Sequence, residues 1–297
     1  MASAFDAFLE AAWNDHAEDA PAVAQRLAQS LGVITAAEHV AAYARLVTHV
    51  YGEHLARYSD GVALLERLRT HAAFDGSAAA KEAVARGIAV LRYCSGDESV
   101  LAPLATEDRI IVLATASSAF AEQKAYQRAI ATYAEALELA RDRLADGPPA
   151  LRSLAVGGNN LAAVLEEKPD RDAMETRGML TAAQGGLDYW RRAGTWLEEE
   201  RAELRLSSSR RSAGDYDGAI HHAQRCLALC DAHEAPAVEH FFGVAALALA
   251  QRSAGLADEF DASRRLARQW HERVDASERP WCDATFAMLA DSDQAAS

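Results

Sequence analysis

Residues 113–136 read LATASSAFAEQKAYQRAIATYAEA, and the order of small and bulky side chains in this stretch decides the fold. Leu113, Ala116, Ser117 and Phe120 recur at helical spacing before a turn at about Lys124–Ala125, and Ala129, Tyr133 and Ala136 recur at helical spacing after it. Small residues let two helix backbones approach closely, and bulky ones fill the space beside them. The stretch therefore predicts two antiparallel helices packed along their length.

Working outward, the pattern returns. Leu161, Ala162 and Leu165 repeat the first-helix signature. Leu206 and Ser207 begin another pair, with a turn at Gly214-Asp215-Tyr216 and a second helix carrying Ala219, Ala223 and Cys226. A looser pair has Leu247 and Ala248 before a turn at Gly255 and a helix through Trp270. This arrangement resembles the tetratricopeptide repeat (TPR), a helix-turn-helix unit that stacks into a solenoid. The resemblance is strongest over 113–136 and fair over 206–226. The helix over about 170–193 lacks the motif, and Arg210 stands where an aromatic residue is usual. Ala129 and Ala219 are 90 residues apart with one pair between them, so the repeats average about 45 residues against the family's usual 34.

The resemblance implies an all-α fold: a right-handed α-solenoid of antiparallel helix pairs with a C-terminal capping helix. Residues 1–105 read as N-terminal helical hairpins, at about 35–73 and 77–105, and are assigned as degenerate repeats. Residues 106–275 form the TPR-like repeats, and 276–297 the capping helix and tail. The capping helix, at about 280–291, sets Trp281, Thr285, Met288 and Leu289 on one face against the last repeat. The polar tail 292–297 is expected to be disordered.

Composition agrees with helix and narrows the function classes. Half the residues are hydrophobic, with only 17 Gly and 7 Pro in 297. The sequence has no run of 18 or more apolar residues, so no membrane span is expected. The acidic N-terminus lacks the basic-then-apolar pattern of a secretory signal. The net charge is −14, and an acidic surface repels phosphate backbones, so nucleic acid is not an expected partner. Cys94, Cys226, Cys230 and Cys282 form no C-x-x-C pair and read as reduced thiols of a cytoplasmic protein.

Local signals place the helix ends. Thr35-x-x-Glu38 reads as a capping box opening a long helix to about residue 58. Asp19 with Pro21 marks another start. Gly32, Gly194, Gly214 and Gly255 stand where helices should stop, and Pro148-Pro149 breaks the chain before a helix through Glu167. Gly157, Gly158, Gly185 and Gly186 sit inside helical patterns, where they permit close helix contacts or else weaken their helices by about 1 kcal/mol each relative to Ala.

Two clusters invite a metal reading. His222, Cys226, Cys230 and His233 follow one helix face, but a rise of about 1.5 Å per residue separates the two histidines by about 16 Å, too far for one ion. His49, Glu53 and His54 spell H-x-x-x-E-H, one residue longer than the H-x-x-E-H metalloprotease pattern. In an α-helix His49 and Glu53 face each other while His54 points elsewhere, which reads as a surface pair. No metal, cofactor or catalytic residue is expected. The chain has no H-E-x-x-H, no phosphate-binding glycine loop after a strand and no G-x-S-x-G.

In the TPR family the first helix of each pair lines a concave groove. That register puts Asn160 on the groove in one repeat, and Arg201, Arg205 and Ser208 in the next. The set resembles the carboxylate clamp of chaperone-binding members, where Lys, Asn and Arg side chains grip a C-terminal carboxylate. The match fails in the preceding repeat, where Ala114 and Ser118 stand in place of Lys and Asn. The expected function is a non-enzymatic scaffold whose groove binds a protein or peptide, with an acidic segment or terminal carboxylate favoured by the arginines. The alternative is a regulatory sensor whose solenoid binds a small molecule or signalling peptide and relays to a partner protein. An all-helical enzyme ranks third.

Overall fold

The computed structural model describes residues 3–141, 144 and 149–290. Among them are fourteen α-helices and no strand, with neighbouring helices packed pairwise in sequence order as in an all-α solenoid. The chain divides into two compact units, Met1–Ala145 and Asp146–Ser297. The tail 292–297 and Pro148 lie outside the described residues.

The first unit holds α1 (Ala4–Asp15), α2 (Ala20–Gln29), α3 (Ala37–Thr48), α4 (Tyr58–Arg69), α5 (Ala78–Cys94), α6 (Thr106–Glu122) and α7 (Tyr126–Ala140). The expected long helix from residue 35 to 58 is not continuous. It becomes a π turn at His49–His54 and ends where Ala56 takes φ 50°. Tyr51 and Gly52 anchor this turn. The Tyr51 hydroxyl donates to the Ala24 carbonyl at 3.0 Å, and Gly52 packs so tightly that a Cβ there would stand 3.1 Å from Leu91. The expected hairpin over 77–105 is a single helix, α5, followed by a short 3-10 turn, because α5 finds its partners in α3, α4 and α6.

The second unit holds α8 (Pro149–Glu167), α9 (Ala173–Ala193), α10 (Trp196–Ser212), α11 (Tyr216–Ala232), α12 (Ala237–Ser253), α13 (Ala257–Arg273) and α14 (Arg279–Met288). The pairs α8–α9, α10–α11 and α12–α13 pack tightly, and α10 also touches both α8 and α12. First helices thus lie beside first helices. Gly157, Gly158, Gly185 and Gly186 are all buried in the α8–α9 pair, and a side chain on Gly186 would collide with Asn159.

One packing unit recurs. Leu113, Ala116, Ser117, Phe120, Ala129, Tyr133 and Ala136 are all buried. In the α6–α7 pair Ser117 donates its hydroxyl to the Ala129 carbonyl at 2.9 Å, and in α10–α11 Ser207 does the same to Ala219 at 2.8 Å. The turns match as well. Lys124, Gly214 and Gly255 adopt φ 60°, 82° and 77°. The next amide in each donates back five residues: Ala125 to Phe120, Asp215 to Arg210 and Leu256 to Gln251, at 2.8–3.0 Å. This left-handed residue and its back-bond close a helix without orphaning its last carbonyls.

The capping signals are partly displaced from their expected places. Thr35 and Glu38 form no box: Ala36 precedes α3 without a side-chain cap, and the Thr35 amide donates to His39 Nδ1 at 3.3 Å. Boxes form at Ser3/Asp6, Asp172/Glu175 and Thr195/Glu198. Thr195→Ala is expected to cost about 1 kcal/mol and Thr35→Ala close to nothing, as read from urea unfolding midpoints. Equal losses would contradict this assignment of the cap.

The helix α14 packs on α12 with a face that only partly matches the expected one. Cys282 and Leu289 are buried and Phe286 packs beside them. Trp281 is 67% exposed and Met288 49%. Leu289 is buried as expected and Thr285 is half-buried, whereas Cys282 takes the buried place one residue, or about 100°, on from Trp281. No helix among the described residues is long and apolar enough to cross a membrane.

Candidate functional site

The arginine face lies on α10. The buried side of that helix carries Glu200, Ala202, Glu203, Leu206, Ser207 and Ser209. Arg201 is exposed, and Arg205 and Ser208 are half-buried on the other side. Asn160 is exposed on α8. Neither arginine pairs with a carboxylate of its own helix. Arg201 pairs with Glu239 on α12, and Arg205 with Glu166 on α8 at 2.9 Å. The stripe is therefore tied into the seams between first helices. Burial pushes the Glu166 carboxyl up against the opposing pull of Arg205 and Ser209. In the first unit Ala114 and Ser118 are buried, because α6 is covered by α5 and by the π turn. No clamp face is open at those positions.

The quartet His222, Cys226, Cys230 and His233 is dispersed, as its spacing along one helix requires. His222 Nδ1 lies 2.6 Å from Glu203. His233 stacks on Trp196 with ring centres 4.8 Å apart. Cys226 and Cys230 instead meet Glu200, whose Oε1 accepts from Cys226 Sγ at 2.8 Å. The three ligand atoms lie within 4.8 Å of one another and all three residues are buried. Burial pushes the Glu200 carboxyl up to about 7, opposed by the Cys226 hydrogen bond and reinforced by the charge of Glu239. The hydrogen bond with Cys230, together with burial, holds the Cys226 thiol protonated. Glu203, equally enclosed, goes the other way. Burial raises its carboxyl, but the His222 hydrogen bond and the charges of His222 and Arg191 outweigh that and bring it below its ordinary value.

The first unit carries a cluster whose geometry the spacing in sequence misjudged. His54 does not point away from His49: their Nε2 atoms are 3.1 Å apart. The π turn is the reason. Five residues of α-helix rotate a side chain by about 140° away from its predecessor, whereas a π turn bonds i to i+5 and stacks those positions. His16, at the end of α1, completes the group, with ring centres 4.8 Å from His49 and 5.0 Å from His54. One ligand nitrogen from each of the three histidines lies within 4.8 Å of the others. The remaining nitrogens of two rings are tied back. His49 Nδ1 faces Glu53 Oε1 at 3.0 Å, and His16 Nδ1 faces the Trp13 carbonyl at 2.6 Å. Trp13 also packs against both rings. Burial, then the charges of His49 and His16, lower the His54 pKa and favour its neutral form. Gln123, the C-cap of α6, also holds the turn, donating to the Glu53 carbonyl at 2.6 Å. Nothing in the spacing marks His16, which stands 33 residues before His49.

No family model and no curated protein matches the chain. A solved structure described as the crystal structure of BtubC (BKLC) from P. vanneervenii is similar to it, at 16% identity over 91% of this chain and 92% of that one, with a TM-score of 0.47.

Proposed function

We propose that this chain is a non-catalytic, TPR-like helical-repeat scaffold that binds a protein or peptide partner along the face made by α8, α10 and α12. The recurring close-packed pair supports this reading. The same Ser-to-carbonyl bond and the same left-handed turn recur 90 residues apart, so the chain repeats one structural unit and preorganises a surface. Asn160, Arg201, Arg205 and Ser208 are the contacts proposed on that face. Arg201 keeps more than half of its side chain exposed while paired with Glu239. A guanidinium offers five donors, so it can hold Glu239 and an acidic group of the partner together.

Site-specific photo-crosslinking tests the surface. A crosslinking side chain at Asn160 or Ser208 is expected to capture the partner in cells. The same group at Gln224 or Ala228, exposed on the second helix α11, should capture none. Capture only from α11 would place binding on the opposite layer and overturn the groove reading.

A further inference from the structure

We propose that His16, His49 and His54 form a binding site for one late first-row divalent metal ion of the zinc class, with Glu53 and the Trp13 carbonyl fixing two of the ligand rings. This goes beyond the scaffold reading and does not depend on it.

The donor set decides the class of ion. Three imidazoles suit zinc, copper, nickel or iron, whereas calcium and magnesium take oxygen ligands. The spacing fits. Two nitrogens bound to one ion at about 2.0–2.1 Å stand about 2.8–3.4 Å apart, from octahedral to tetrahedral geometry, and His49 and His54 already stand at 3.1 Å. A hydrogen bond between two neutral imidazoles explains that one distance. It does not explain a third histidine bringing its ligand nitrogen to the same place while its other nitrogen is held by a carbonyl.

The outer contacts are those a histidine ligand needs. A metal-bound imidazole donates its second N–H to a carboxylate or a carbonyl, which sets the tautomer and the ring orientation. His49 has Glu53 in that position, nearly buried with its side chain 12% exposed, and His16 has the Trp13 carbonyl. The backbone points the same way. The π turn brings His49 and His54 onto one face, and such turns concentrate at functional sites. Three protein ligands leave a fourth position open for water or a partner's side chain. A bound ion would also join the end of α1 to the turn between α3 and α4, so binding should stabilise the first unit by linkage.

The test uses the full chain stripped with a chelator and titrated with zinc alone, followed by calorimetry, with cobalt as an optical probe. The expected result is one ion per chain with a Kd below about 1 µM, a rise in thermal midpoint with zinc, and a cobalt spectrum without a thiolate charge-transfer band. His16→Ala and His54→Ala should each weaken binding at least 100-fold. Glu53→Gln should weaken it about 10–100-fold, as outer contacts to metal ligands do. His16 lies at a helix end and is half-buried, so its variant keeps the fold, as circular dichroism would verify. The Cys226→Ser/Cys230→Ser variant should bind zinc as the wild type does. Three results overturn the site: wild-type binding weaker than about 10 µM, binding that survives both histidine variants, or binding lost with the cysteines.

Discussion

Glu200→Gln is expected to flatten much of the pH dependence of the second unit's stability. Glu200 is fully buried, with its Oε1 taken by Cys226 and its Oε2 without a hydrogen-bond partner among the described residues. Its folded-state pKa is raised from 4.5 to about 7. The folded chain therefore keeps a proton that the unfolded chain releases. The stability this contributes is complete below about pH 4.5, falls as pH rises towards 7, and is gone above it. A shift of that size corresponds to about 3 kcal/mol. Urea unfolding of wild type and variant at pH 4.5 and pH 8 measures it. The variant should gain on the wild type by roughly that amount between the two conditions. An equal difference at both would show that Glu200 titrates normally, and that Arg201 and the two thiols hold its charge without penalty.

Much of the second unit was legible from short-range patterns, because short-range physics decides its elements. Gly214 and Gly255 end their helices by adopting positive φ, while Gly194 ends α9 in an extended conformation. A small residue at a helix crossing is small because the neighbouring backbone is close, and Ala219 is fully buried there. The first unit was less legible for the opposite reason. Whether residues 49–54 form an α or a π turn depends on where Tyr51 and Gly52 must pack, against α2 and α5. That contact lies in the tertiary structure, and it alone rotates His54 towards His49. His16 comes from another segment altogether. The partners of Arg201 and Arg205, Glu239 and Glu166, belong to neighbouring helices, which no i,i+4 rule reaches. The capping helix shows a third limit. Of the residues expected on its packed face, Leu289 is buried, but Trp281 and Met288 are exposed and Cys282 takes the buried place against α12.

Ala129→Leu and Ala219→Leu are each expected to cost about 1–3 kcal/mol. Both alanines are fully exclusion-packed, at 0% exposure, where the second helix of a pair crosses the first. In both places the alanine's own carbonyl accepts the serine hydroxyl of the facing helix. Added methylenes would push the helices apart and stretch that bond, so the loss combines overpacking with a weakened buried hydrogen bond. A control separates the two terms. Ser117→Ala and Ser207→Ala remove the hydroxyl without adding volume, and should cost about 1 kcal/mol each. Because Ala129 and Ala219 lie in different compact units, the two leucine variants should act on separate cores, and their combined loss should be additive within about 0.5 kcal/mol. Denaturant midpoints of the single and double variants decide the matter. A neutral Ala129→Leu would mean that the crossing has room for the side chain, and the equivalence of the two helix pairs would fail with it.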